Sequence, residues 1–203
     1  MADRPVSEVL RDADDGLQLV ERALVEITDL PGHQRVAGVR NLPVWGRALT
    51  QTFQNLRTAV GNQKFNQWWS PWQTELKTDP DFVYLWDLRN QIEKEGTVGS
   101  LGYVMHIDHL DTSQLGPPPP NAVGFFVGDR WGGAGWTVRK PDGTTEAFYA
   151  QLPGTVRSHL FFTGPTTSQR RPPPKQSIDI IARRYVDLLR RIHASARKEF
   201  GSG

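Results

Sequence analysis

Three groups of residues in this chain have the types and spacing to do chemistry. The first is Arg89-Asn90 in DLRNQIEKEG, residues Asp87 to Gly96, where a guanidinium with five donors stands beside an amide and Lys94 follows. The second is MHIDHLD, which places His106, Asp108, His109 and Asp111 close together. Imidazoles and carboxylates are ligands for zinc, manganese or iron. On a strand, however, His106 and Asp108 face one side while His109 and Asp111 face the other, and His159 would have to approach through space. A polar strand end running into a loop therefore accounts for His106, Asp108 and His109 better than a metal site does.

The third group lies near the C-terminus. Arg183, Arg190 and Arg197 recur every seven residues, with Arg184, Arg191 and Lys198 beside them. At helical spacing these form a double basic stripe. With Arg170, Arg171 and Lys175 upstream, they are candidate contacts for the phosphate backbone of RNA or DNA, or for an acidic protein partner. No aromatics interleave the stripe and no groove-reading motif accompanies it, so sequence-specific recognition is not expected. The competing account is a solvated face, since cations favour a helix C-terminus. From Pro165 onward the chain carries nine Lys/Arg against three acids, although the whole chain is only +2. That asymmetry points either to an acidic partner or to the tail packing on the acidic remainder.

Arg89-Asn90, late in a bundle helix, resembles the motif of the HEPN family (higher eukaryotes and prokaryotes nucleotide-binding). There an arginine and a polar neighbour precede a histidine by a few residues. The resemblance implies a helical bundle of the kind frequent in bacterial toxin–antitoxin and antiphage defence systems. It also implies, for many members, a metal-independent ribonuclease acting as a homodimer. In such an enzyme Arg89 would stabilise the phosphorane charge, Asn90 would orient the substrate, and Lys94, standing where the histidine belongs, would replace the acid. Cleavage needs a group that exchanges a proton near neutral pH, as unperturbed histidine does. A lysine does so only if burial lowers its pKa by several units. The larger block FNQWWSPWQTELKTDPDFVYLWDLRNQIEKEG resembles a bacterial family of Trp-rich helices ending in Arg-Asn…Lys-Glu-Gly, a resemblance that implies no activity. The structural account of Arg89-Asn90 is a half-buried polar pair that holds carboxylates or the helix-terminal carbonyls near Gly96. Arg40-Asn41, just before Pro43, reads as a helix start.

Other chemistry is excluded or unmarked. There is no Cys, hence no disulfide, thiolate site or cysteine nucleophile. GDRWGGAGW lacks both the Lys-Ser/Thr of a P-loop and the order of a dinucleotide-binding turn, and reads as a hairpin. No nucleophile elbow or carboxylate pair stands out, and nothing calls for a cofactor. MADRPVSEVL has no apolar leader core and no stretch approaches membrane-span length, so the expectation is a cytoplasmic protein without membrane contact. Gly201-Ser202-Gly203 reads as a cloning remnant.

The elements that must position these groups follow from periodicity. Val6, Leu10, Ala13, Leu17, Val20, Leu24 and Ile27 make one stripe of a long helix, stopped by Pro31-Gly32. A second helix is expected from Asn41 as cap, with Pro43 in its first turn and Trp45, Leu49, Phe53, Leu56 and Val60 on one face. Phe65, Trp68, Trp69, Trp72 and Leu76 mark a third, with Pro71 as a kink or a start. Its tryptophans are expected in the core, because three exposed ones would invite aggregation. Asp79-Pro80-Asp81 opens a fourth helix with Phe82, Leu85, Trp86, Leu88 and Ile92, closed by Gly96. After Gly96 the period changes to 2, predicting strands in TVGSLGYVMHI, AVGFFVGD, GWTVRK, TEAFYAQL and SHLFF. TGPTTSQRRPPPKQ is a Pro-rich basic loop. Ser177 then caps a last helix with Ile178, Ile181, Tyr185, Leu188 and Ile192 inward.

The expected fold is α+β. An N-terminal antiparallel helical bundle (1–96) is joined by a final amphipathic helix (177–200), with a small antiparallel sheet (97–163) and the loop 164–176 inserted before that helix. The expected function is a non-catalytic interaction or nucleic-acid-binding module. The alternatives are a ribonuclease centred on Arg89, Asn90 and Lys94, or a structural subunit of a larger assembly.

Overall fold

Where the first apolar stripe runs, the chain forms α1 (Val6–Asp29) and buries Val9, Leu10, Ala13, Val20, Ala23, Leu24 and Ile27. This computed structural model describes residues 4–30, 33–129, 132–167 and 169–201. The expected stop at Pro31-Gly32 lies outside the described residues.

The second helix, α2 (His33–Gln54), starts earlier than expected and carries Pro43 inside it. Asn41 is not its cap: Asn41 Nδ2 donates to Glu26 Oε2 of α1 at 3.0 Å. The reason lies in the buried row Arg35, Val39, Leu42, Leu49 and Phe53, which also passes through Gly46 and continues unbroken across the proline. Packing of that row outweighs the one backbone bond Pro43 removes. Trp45 falls one position off the row and is 37% exposed, so it is not the core residue that the spacing suggested. The row also shows why α1 and α2 sit so close. A Cβ on Gly38 would meet Ala23 O at 2.7 Å and Ile27 N at 2.8 Å, both backbone atoms.

A short α3 (Leu56–Val60) leads into α4 (Asn62–Thr78), a continuous helix with Pro71 inside. Of the α4 aromatics Phe65 and Trp69 are core, while Trp68 and Trp72 pack against it half-buried. Phe65 stacks on Trp69 with centroids 6.1 Å apart, and Phe53 meets Trp68 edge-on at 5.9 Å. The indole N–H of Trp68 donates to Ser195 Oγ at 2.9 Å, joining α4 to the final helix. Next comes α5 (Pro80–Glu95), opened as expected by Asp79, whose side chain accepts from the backbone N–H groups of Asp81 and Phe82. Gly96 closes it at φ 71°, a left-handed geometry that costs a glycine nothing.

The chain is α+β, as its periodicity indicated. The strands divide into two antiparallel sheets. β1 (Leu101–Ile107) pairs with β5 (Val156–Phe162), Leu101 opposite Phe162 and Ile107 opposite Val156. Within that long ribbon sit a single 3-10 turn (Thr112–Leu115) and a three-stranded meander. The meander is β2 (Ala122–Val127), β3 (Ala134–Arg139) and β4 (Thr145–Tyr149). The Gly-rich segment closes the β2–β3 hairpin through Gly128 N–H to Gly133 O at 2.9 Å; its Arg130 and Trp131 lie outside the described residues. Leu160 and Phe162 of β5 enter the helical core, whereas the meander is fastened to the ribbon by Tyr103 Oη donating to Gly128 O at 2.8 Å.

The last helix, α6 (Ile178–Phe200), returns to the bundle with Ile178, Ile181, Tyr185, Leu188 and Ile192 all buried. Ser177 precedes it in extended conformation, but its side chain makes no capping bond.

Candidate ligand-binding site

Arg89 projects from α5 into a cavity of about 170 Å³ among α2, α4, α5 and α6. Arg47 of α2 and Lys77 of α4 line the same cavity, and no carboxylate does so among the described residues. Its apolar wall is built from Trp69, Leu76, Phe82, Leu85 and Tyr185, with Trp86 at the side. Trp86 is 45% exposed, and the Arg47 guanidinium lies over its ring at 4.2 Å from the centroid. A cation over an indole face is held by the ring quadrupole, so Arg47 is positioned without a counter-ion.

The charges that act on Arg47 are revealing. Burial first, and then the neighbouring Arg89 charge, push its pKa below the ordinary arginine value, with the Tyr185 phenol opposing. Two like charges are thus brought together at a partly desolvated wall, which raises the local positive potential. The Tyr185 phenol is pushed up strongly by burial and stays neutral. Its ring lies against Gly46, where an added Cβ would come within 2.5 Å of it.

Arg89 is only partly satisfied. One of its terminal nitrogens, Nη1, faces Glu93 Oε2 at 2.6 Å and Asn90 Oδ1 at 3.1 Å. Its Nε is buried with no hydrogen-bond partner. The indole N–H of Trp69, a residue 5% exposed, is also buried without one. Buried donors in native proteins are nearly always paired, and both orphans belong to residues that line the cavity.

Of the residues the sequence singled out on α5, Arg89 lines the cavity. Asn90 holds Arg89 and does not line the cavity, and Lys94 is exposed on the last turn of α5, away from it. No imidazole lines the cavity among the described residues. Of the two partners considered for Arg89, a carboxylate or the carbonyls near Gly96, it takes a carboxylate, Glu93, while the Gly96 carbonyl receives Arg40 Nη1 at 3.2 Å. Arg47 was not singled out by the sequence at all. Nothing nearby in the chain marks it, since its partners in the cavity come from three other helices.

The opposite face of α5 binds the Pro-rich loop. Asp87 Oδ2 takes Arg171 Nε at 2.5 Å, Gln91 Oε1 takes the Thr167 N–H at 3.1 Å, and Glu95 Oε1 takes the Thr167 hydroxyl at 2.6 Å. Tyr84 Oη donates to Gly164 O at 2.9 Å. The polar row Asp87, Gln91, Glu95, spaced by four, was the legible signal that this loop is a strap.

The α6 stripe is largely engaged within the chain. Arg184 pairs with Asp79 and, at 2.7 Å, with Asp81. Arg190 meets Glu21 at 2.8 Å, Arg191 meets Glu75 at 2.5 Å, and Arg197 meets Asp14, which His193 also reaches at 2.7 Å. Of the two readings of the charge asymmetry, tail packing on the acidic part is the one seen here. Arg170, Lys175 and Lys198 are exposed. Arg183 lines a second cavity with Arg35, His159 and Asp179. There Arg35 already donates to Ile27 O at 2.9 Å and to Ser158 O at 3.0 Å, tying the end of α1 to β5.

The His/Asp cluster is a surface network. His106 Nε2 lies 2.8 Å from Asp108 Oδ1, and Arg157 Nη2 donates to Asp108 Oδ2 at 3.1 Å. These two contacts hold the Asp108 carboxyl below its usual range. His159 does not approach it; its Nδ1 lies 3.3 Å from Asp179 Oδ1. Among the described residues no group of three or more His, Cys, Asp or Glu could hold a metal ion, and no helix is long and apolar enough to cross a membrane.

Set beside known proteins, the chain matches no family model, no curated sequence and no solved structure.

Proposed function

We propose that this chain is a non-catalytic binding module that holds a small anion in the cleft between Arg47 and Arg89. One observation carries the reading: two arginines line a single cavity whose described lining contains no carboxylate, and two of its lining residues, Arg89 and Trp69, carry buried donors without partners. An anion there would relieve the repulsion between the guanidiniums. The cleft is preferred to the α6 stripe because Arg184, Arg190, Arg191 and Arg197 each face a carboxylate, whereas in the cleft only Arg89 does so and Arg47 has no carboxylate partner among the described residues.

Holding is preferred to cutting for a chemical reason. Ribonucleolysis needs a proton shuttle within reach of the phosphate. The cavity offers arginines, a lysine and a tyrosine kept neutral by burial, while Lys94 stands outside it. Purified protein is expected to leave RNA intact, and cleavage lost in Arg89→Ala would reverse this preference.

Thermal unfolding in acetate or phosphate, against chloride at fixed ionic strength, tests the reading. An anion at ten times its Kd adds about 1.4 kcal/mol, a rise of about 3–6 °C for a chain of this size. The rise is expected in the wild type and not in Arg47→Gln. If no small anion stabilises the protein, the reading is wrong.

A further inference from the structure

We infer that the ligand of this cleft is a monocarboxylate carried on a single apolar ring, a benzoate-like acid. The inference rests on the anion-binding reading above and adds the class of ligand.

Size sets the first bound. A cavity of about 170 Å³ is comparable to the roughly 150 Å³ that accommodates benzene. One ring fits; a nucleoside with its sugar and phosphate does not. Lining sets the second. Trp69, Phe82 and Tyr185 offer ring faces and edges, and Leu76 and Leu85 complete an apolar floor that favours an aromatic guest over a hydrated ion.

The donors set the third. Arg89 lines the cavity with its Nη1 held by Glu93 and Asn90, and its buried Nε has no partner. Arg47 is fixed over Trp86, and the Trp69 indole N–H is the other orphan. A planar carboxylate with two acceptor oxygens matches a small set of N–H donors held by rigid side chains. A phosphate dianion would have to shed more hydration against the same apolar wall. The acid's ring would then lie on the floor and its carboxylate between the guanidiniums.

The test is titration of the full chain with sodium benzoate, with benzyl alcohol and inorganic phosphate alongside, observed by NMR at the Trp69 indole N–H. A Trp69→Phe spectrum assigns that resonance. Benzoate is expected to shift it saturably, benzyl alcohol at least about tenfold more weakly, and Arg47→Gln to lose about the same factor for benzoate. The wild-type comparison of benzoate with benzyl alcohol stands even if Arg47→Gln fails to fold. Equal binding of the acid and the alcohol, or full benzoate affinity in folded Arg47→Gln, would overturn the inference. A shift by phosphate with none by benzoate overturns this inference and leaves the anion site intact. Silence from every anion removes both.

Discussion

On α6, Arg184, Arg190, Arg191 and Arg197 stand at the surface, yet each meets a carboxylate contributed by α1, α4, α5 or the cap before α5. In the cleft, Arg47 and Arg89 are half-buried, and the Glu93 that meets Arg89 sits at the rim. Those four α6 arginines are neutralised within the fold, whereas in the cleft Glu93 meets Arg89 but Arg47 meets no carboxylate among the described residues. The strap side of α5 belongs with the first population, because Asp87, Gln91 and Glu95 all find partners there. The difference teaches that a run of cations in a sequence reports the fold's own ion pairs as readily as a partner's. A binding site is better sought where charge and donors are left over.

The largest effect expected comes from the core that carries both populations. Phe53 is fully buried and touches both Trp68 and Trp69, so it braces the cleft wall from behind. Phe53→Ala should cost about 3–5 kcal/mol in denaturant unfolding. A loss below about 1 kcal/mol would show that the cleft wall stands without it.

Next in size is a pH effect on the neutralised side. Burial pushes the Tyr84 phenol up to about 12. An unfolded tyrosine ionises near 10, so the unfolded chain releases this proton first. Stability is therefore unaffected by Tyr84 below pH 10 and falls between about 10 and 12, by up to about 1.4 kcal/mol per pH unit. Unfolding at pH 9 and pH 11 should show a smaller drop in Tyr84→Phe than in the wild type. Equal drops would assign the alkaline loss elsewhere.

The smallest stability effects make the sharpest comparison. Arg190→Gln and Arg191→Gln should each lower stability by less than about 1 kcal/mol, as exposed ion pairs do, and leave anion binding unchanged. Arg47→Gln should do the reverse, keeping stability within about 1 kcal/mol while losing the anion. If the α6 variants lose the anion as well, the two populations are not distinct.

Legibility followed the range of the interaction. The caps of α5 could be read because Asp79 and Gly96 act on atoms a few residues away. The β3–β4 turn is as local, Thr144 N–H closing on Asp142 Oδ1 at 2.9 Å. The start of α2 could not, because local proline chemistry argued for Asn41 while the buried row from Arg35 to Phe53 decided otherwise. Trp45 was placed on the apolar face of its helix and is exposed, since a hydrophobic spacing does not say how wide the covered face will be. In the site, Arg89 was found and Arg47 was missed.

By itself the sequence determined the α+β class, the inward stripes of α1 and α6, and the termini of α5, all of which depend on periodicity or on neighbours within one turn. Only the tertiary structure decided which arginines are free. Arg197 reaches back across 183 residues to Asp14, and Arg184 across 103 to Asp81. Neutralisation is a property of separation in space, falling off within a few ångströms, and no spacing along the chain encodes it.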